Sequence, residues 1–333
     1  MRVIVPMVIT DDIYTSTNLA EDNTYSAWDS GTTYGEGAFV YVASTHRIYR
    51  SVQASNTNHN PTTDATSTWW VDYAATNSWK PFDWRIYDTC MSAETENPLY
   101  VPSGSDAYDV AGADGYYRLA PGSDGQIVIT LAPNQRCTHI ALFNLSANEV
   151  NVTIEDGSAT EIHNETQEVG DFSELVDWYS FFFVAPSYET EVMFEDLTIL
   201  DGYSVTITIG DGGAPTSVGQ IVIGRNHILG TTIEGTEVGY ISYSRKDIDD
   251  FGNITVVPGQ RARFVNFEFT MNTANTRSVE RLLAANDGNP CVFWADSGML
   301  GTGTIVYGIA DDFAVPLKAA DISFATLDVK GLT

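Results

Sequence analysis

The sequence predicts a mainly β chain with a single helix. Short stretches alternate apolar and polar side chains with a period of two, which turns one face of a strand to a core and the other to solvent. The same stretches are rich in Val, Ile and Thr, whose branched side chains suit a pleated surface. Between them stand Pro121-Gly122, Asp156-Gly157 and Asp201-Gly202, pairs that close tight turns.

Taken in chain order, residues 2–9 form an apolar run that Pro6 interrupts and that Asp11-Asp12 follow without a small-residue cleavage site. The run therefore reads as a strand and not as an export leader. Residues 25–73 hold three short aromatic-rich strands separated by polar turns. Residues 126–131, 139–143, 150–154 and 203–209 alternate cleanly, and four such strands suggest an antiparallel sandwich of jelly-roll, galactose-binding-like form. Strand patterns resume at 238–243 and 262–269. A helix is expected over 277–285: Asn275 or Thr276 can cap it, Val279, Leu282 and Leu283 share a face, and Asp287-Gly288-Asn289-Pro290 ends it. Residues 291–294, 304–307 and 324–329 are the remaining strands. The division that follows is an N-terminal β segment (1–24), an aromatic module (25–80), an acidic β-sandwich (81–224) and a C-terminal β-rich domain with the helix (225–333).

Charge supports that division. The 333 residues carry 44 acidic and 16 basic side chains, for a net charge of -28. Residues 81–224 hold 23 acids and 3 bases, whereas 225–333 hold 13 and 9, with Arg245, Lys246, Arg261, Arg263, Arg277 and Arg281 close together. So few cations cannot build a face that gains affinity by displacing counterions, which excludes nucleic acid as a partner. The longest apolar stretch, near residues 179–185, is far short of the ~20 residues that cross a bilayer, so no membrane insertion is expected. Cys90, Cys137 and Cys291 are widely spaced and odd in number, which suits three structural thiols in a chain made in a reducing cytoplasm.

The most specific local pattern runs from Tyr25 to Tyr73. It contains Trp28, Tyr34-x-x-Gly37, Val40, Tyr49-Arg50, Asn60-Pro61 and Trp69-Trp70. A ~50-residue sheet buries little surface, so large rigid rings supply the most apolar burial per ordered residue. In order and spacing the segment resembles the chitin-binding type-3, family 5/12-like, carbohydrate-binding modules, although Glu36 precedes Gly37 where the family places its acid after the glycine. That resemblance implies sugar binding by aromatic faces stacked on pyranose rings. Adjacent strand residues point to opposite faces, so Trp69 and Trp70 cannot both be core. Tyr34, Trp69 and Trp70 are the candidate carbohydrate-binding residues, with packing of the small core as the competing use of each ring.

Catalytic patterns are missing from the sequence. The five histidines form no HExxH pair, the glycine-rich residues 210–219 lack the Lys-Ser/Thr of a phosphate loop, and no Gly-x-Ser-x-Gly elbow occurs. No enzymatic activity is expected. Asp247-x-Asp249-Asp250-x-Gly252 has part of a calcium-loop pattern, but Pro258 stands where the twelfth-position Glu belongs. No cofactor is therefore predicted, with structural Ca²⁺ in the acidic sandwich left open.

Beyond the module, Asn77-Ser78-Trp79-Lys80-Pro81-Phe82-Asp83 leads into the sandwich, and Gly239 to Arg245, Asp250-Phe251-Gly252, Arg261-x-Arg263 and Pro290 to Trp294 follow in order. This arrangement resembles tail-tip or baseplate virion proteins of tailed bacteriophages. The resemblance implies a structural subunit located in the virion tail, made in the host cytoplasm and assembled as a homo-oligomeric ring with other tail proteins. It would contact host-surface polysaccharide or anchor fibres during adsorption. A secreted polysaccharide-binding accessory protein and a phage depolymerase are the alternative readings.

Overall fold

A computed structural model describes residues 1–22, 24–86, 88–92, 108–111, 116–119, 125–171, 178, 187–211, 216–248, 254–257, 259–295, 302–316 and 321–332. Its main feature is one curled antiparallel sheet of ten strands. The order runs Glu191–Phe194, His139–Phe143, Gln220–Ile228, Arg2–Pro6, Cys291–Trp294, Val306–Ala314, Ile322–Gly331, Arg261–Asn272 and Thr231–Thr232, with Glu237–Ser242 also paired to Arg261–Asn272. A second sheet has five strands in the order Glu161–Glu168, Glu149–Glu155, Ser204–Ile209, Ile127–Leu131 and Tyr14–Thr17.

Period-2 alternation explains how the layers stack. In His139–Phe143 every residue is buried, because Ile140 and Leu142 feed one core while Ala141 and Phe143 feed another on the opposite face. Ile221 and Ile223 join the first core and Val222 the second. Against the first face the five-stranded sheet lays Ile127, Ile129, Val150, Val152, Val205 and Ile207, giving a sandwich-like pair of layers. Each such aliphatic side chain contributes roughly 1.5–3 kcal/mol when fully buried. Further along the sheet, Val3, Phe267, Phe269, Phe293, Leu327 and Val329 form a separate core. The helix Thr276–Ala285 covers it with Val279, Leu282 and Leu283.

The opposite face is concave and holds Ile4, Ala141, Phe143, Val222, Val292, Trp294 and Tyr307. Six strands separate Glu191–Phe194 from Arg261–Asn272 along the sheet. In a flat sheet those two would lie roughly 34 Å apart at the usual strand spacing. Yet Glu191 and Arg263 form an ion pair at 3.2 Å, so the sheet curls far enough to bring them together.

Most expected strands are present within a residue or two, and the helix begins one residue earlier than expected, at Thr276. The strand anticipated at 304–307 starts at Val306, after a short 3-10 turn over Thr302–Thr304. Two boundaries read from the sequence fall inside shared structure. The cut after Gly224 lies within Gln220–Ile228, a strand that carries the sandwich pattern directly into the C-terminal residues. Residues 1–24 likewise form no segment of their own: Arg2–Pro6 pairs with Gln220–Ile228 on one edge and Cys291–Trp294 on the other, while Tyr14–Thr17 joins the second sheet. The turn at Pro121-Gly122, the apolar residues 179–185 and part of the glycine-rich stretch, 212–215, lie outside the described residues.

Gly224 sits opposite both Pro6 and His139 in the register. A β-carbon there would run into the Val5 carbonyl oxygen and would approach Ile4 Cγ2 to 2.9 Å. Gly224→Val is therefore expected to destabilise the chain by about 3 kcal/mol, the upper end for overpacking, because the obstacle is backbone and cannot rotate away. A urea unfolding midpoint equal to that of the parent would contradict this.

Candidate functional site

The aromatic module is built on a three-stranded antiparallel sheet of Phe39–Val42, Arg47–Ser51 and Trp70–Ala75. A two-residue ribbon, Thr33–Tyr34 against Asn56–Thr57, flanks it. Its interior combines Val40, Ile48 and Trp70 with buried polar Ser51 and Asn56, so it is less aromatic than the sequence suggests. Asn56 Nδ2 donates to Ser51 Oγ at 3.1 Å and to the Trp69 carbonyl at 3.3 Å, and Ser51 Oγ donates to the Gln53 carbonyl at 2.9 Å.

Asp64 sets the entry to the third strand. Its carboxylate accepts the backbone N–H groups of Thr68, Trp69 and Trp70 at 3.1, 2.6 and 2.9 Å. Desolvation pushes the carboxyl up, but these three donors outweigh it and hold Asp64 below the usual carboxylate range. This clamp turns the two tryptophans in opposite directions. Trp70 is 2% exposed and its Nε1 donates to the His59 carbonyl at 2.8 Å. Trp69 is half-buried, with its ring 3.7 Å from that of His59 and nearly parallel to it.

The three candidate residues thus separate. Trp70 is a core residue and presents no face to a ligand, a correction to its expected role. Tyr34 packs edge-on against Trp70 at 5.3 Å, and its hydroxyl accepts the Asp29 N–H at 2.8 Å, so the structure brings these two rings together inside the module. Trp69 stands apart from them with His59.

A second cluster of rings reaches the surface through Tyr73, with Tyr25 and Phe39 half-buried behind it. Tyr25 stacks on Phe39 at 5.1 Å, and Phe39 meets Tyr73 edge-on at 4.9 Å, with Tyr73 51% exposed. Arg50, also exposed, lies opposite both Phe39 and Val71 in the register. A row of aromatic faces beside guanidinium donors can stack on sugar rings and hydrogen-bond their hydroxyls. The place of Tyr73 in this row was not readable from alternation, because the register shifts between Ile48 and Tyr49 and leaves Tyr73 as the extra residue of a bulge.

The junction motif locks the module to the rest of the chain. Asn77–Phe82 forms a 3-10 helix, and the Asn77 amide exchanges two 3.0 Å hydrogen bonds with the Met91 backbone. Trp79 stacks on His46 at 4.1 Å and packs edge-on against Tyr14 and Phe82. His46 in turn contacts Glu21 at 2.8 Å and Asp11 at 3.2 Å. Just beyond, Asp83 accepts the Arg85 N–H through Oδ1, while its buried Oδ2 lies 3.8 Å from Arg47 and 3.9 Å from Arg85, too far for a hydrogen bond. Burial pushes the Asp83 carboxyl up to about 6, outweighing the Arg85 N–H and both guanidinium groups.

Among the described residues no three His, Cys, Asp or Glu side chains gather as a metal-binding group. Of the calcium-like pattern, Asp247 lies in the strand Arg245–Ile248 and pairs with Arg245 at 2.6–2.9 Å; residues 249, 250 and 252 lie outside the described residues. The three cysteines are buried thiols, and burial pushes Cys137 up to about 11 and Cys291 to about 12.

Two acid groups give opposite pH signatures. Asp83 titrates higher folded than unfolded, so the stability linked to its protonated form is complete below about pH 4 and is lost as pH rises through about 6. Asp83→Asn should therefore stabilise the chain at pH 8 by ~2 kcal/mol and leave it unchanged near pH 4; an equal effect at both pH values would contradict the assignment. Asp64 has the reverse sign: its contribution is present above the ordinary carboxylate range and disappears as pH falls through its depressed folded value. Asp64→Ala should cost ~1 kcal/mol at neutral pH, as for loss of a helix-type cap, with the cost shrinking in acid. Thermal melts across the pH range measure both.

No protein-family model matches this chain, and no curated protein matches its sequence.

Proposed function

We propose that the chain is a non-enzymatic structural subunit of a bacteriophage tail tip or baseplate whose aromatic module contacts host-surface glycan. The supporting observation is the row of Tyr25, Phe39 and Tyr73, exposed at Tyr73, with the exposed Arg50 beside it, joined to the resemblance of the chain's motif order to tail proteins. The jelly-roll form of the sandwich and the sugar-binding form of the module belong to this proposal. Assembly as a ring would give the row several copies, so weak stacking at each copy would add up through avidity. Of the C-terminal cations, Arg245 and Arg263 are paired within the chain and Arg261 lies over the Tyr240 ring. Arg277 and Arg281, on the helix, are the cations we assign to contacts with acidic neighbouring subunits.

A secreted polysaccharide-binding accessory protein would use the same aromatic row, and a depolymerase would release sugar. Retention of the full chain on immobilised host envelope polysaccharide should fall roughly tenfold in Tyr73→Ala and in Phe39→Ala, the loss of one stacking contact each. Trp69→Ala should have a smaller effect. Parent-level retention in both Tyr73→Ala and Phe39→Ala would overturn the glycan assignment. Release of reducing sugar would favour the depolymerase, and failure to find the chain in purified phage particles by mass spectrometry would overturn the virion assignment.

A further inference from the structure

A pocket opens where the curl brings the strands Glu191–Phe194 and Arg261–Asn272 together, and it shares no residue with the aromatic row. Its volume is about 240 Å³, below the ~300 Å³ at which pockets for drug-sized ligands begin. At the ~30 Å³ that each water takes in the liquid, that is room for about eight waters, and so for one metabolite-sized molecule. Glu191 and Arg263 are the charged side chains of its lining. Both are 29% exposed, so solutes reach them through the opening. Glu189 acts on Glu191, and Asp83 on Tyr307, without lining the space.

The ion pair in this pocket is looser than others in the chain. Arg47 and Asp72 meet through Nε and Nη2 at 2.7–3.0 Å, and Arg245 and Asp247 through the same two atoms at 2.6–2.9 Å. In contrast, Arg263 offers Glu191 a single nitrogen, Nη1, which lies 3.2 Å from Oε1 and 3.3 Å from Oε2. Charge-assisted bonds are normally shorter, about 2.7–2.9 Å. Arg263 Nη2 donates to the Gly303 carbonyl, and Nε–H has no acceptor among the described residues. Burial pushes the Glu191 carboxyl up, and the facing guanidinium does not fully offset it. Each partner therefore keeps bonding capacity that the other leaves unused.

The two charges together select the ligand. A simple cation would complete Glu191 but meet Arg263, and a simple anion would complete Arg263 but meet Glu191 with Glu189 near it. A molecule that carries an ammonium and a carboxylate on one carbon satisfies both, because the two protein groups are themselves in contact. Ile86 and Leu332, each half-buried, give the lining an apolar part, and the exposed Thr190 and Gln260 add a hydroxyl and an amide. We propose that this pocket binds a free α-amino acid with an apolar side chain, its carboxylate on Arg263 and its ammonium on Glu191. The ligand would touch both ends of the curl at once. The site stands independently of the aromatic row and of the phage reading.

Saturation-transfer NMR on the full chain tests this with L-leucine and L-phenylalanine as probes. At least one should bind saturably, and a saturating dose should raise the melting temperature, as for any ligand of the folded state. Each probe has two comparators: the amine that lacks its carboxylate (3-methylbutylamine or 2-phenylethylamine) and the acid that lacks its ammonium (4-methylpentanoate or 3-phenylpropanoate). Both comparators should bind at least roughly tenfold more weakly than the amino acid, the effect of one lost hydrogen bond to a charged group. Glu191→Gln, which keeps the shape and removes the charge, should weaken amino-acid binding by a similar factor, and Tyr73→Ala should leave it unchanged. Failure of both amino acids to saturate overturns the proposal. An amine that binds as tightly as its amino acid overturns it in favour of a cation site, and an acid that does so overturns it in favour of an anion site. These comparisons need only the parent chain, so they decide the matter even if Glu191→Gln fails to fold. Undiminished binding by folded Glu191→Gln, or loss of binding in Tyr73→Ala, also overturns it.

Discussion

A strand placed inside a sheet must satisfy hydrogen bonds along both edges and burial on both faces, and Arg2–Pro6 carries that constraint for the whole molecule. Its edges join Gln220–Ile228 to Cys291–Trp294, and its faces send Val3 into one core and Ile4 into another. Without it the sheet would separate into two pieces, each with an unpaired edge. The close approach of Val5 to Gly224 follows from the same placement: only a residue without a side chain leaves room for this backbone contact.

Curling the sheet solves a second problem. One face is covered by the second sheet and the helix, but the other has no complete layer over it among the described residues. Bending brings Phe143, Tyr307 and Trp294 toward one another, and residues 82–86 supply further cover: the Ile86 carbonyl accepts the Asn144 amide at 2.8 Å. The junction motif thereby ties the aromatic module to the sheet at the point where the concave face needs material. The Glu191–Arg263 pair joins acidic and basic parts of the chain across the curl, so part of the charge asymmetry is used internally.

Much of this architecture was legible. His139–Phe143, Glu149–Glu155, Ser204–Ile209 and Arg261–Asn272 declare themselves by alternation, and the helix by its apolar stripe and terminating turn. Gln220–Ile228 was less visible because Gly224 and Arg225 interrupt its apolar run, although backbone proximity demands the glycine and the strand continues past it. Glu161–Glu168 was invisible because it sits at an edge of the second sheet and carries polar side chains on both faces, a composition that also discourages pairing with other chains. At the candidate site, alternation required Trp69 and Trp70 to diverge but could not say which turned inward. The Asp64 clamp decides that, and the bulge beside Tyr49 decides the exposure of Tyr73. The clamp is a side-chain contact and the bulge a strand pairing, and alternation reports neither.

The position of Arg2–Pro6 also fixes the order in which the chain can assemble during synthesis. Its partners end at residues 228 and 294, so at ribosomal rates the strand waits roughly 15–60 s before both ladders can close. The second sheet waits less, since its last strand, Ser204–Ile209, is finished before Cys291 is made. A nascent chain therefore completes one layer of the sandwich while Val3 and Ile4, synthesised long before their partners, still lack a finished core. Such long-range closure is slow by topology alone, and it makes the opening residues the part of this protein most dependent on protection in the cell until its final third has been made.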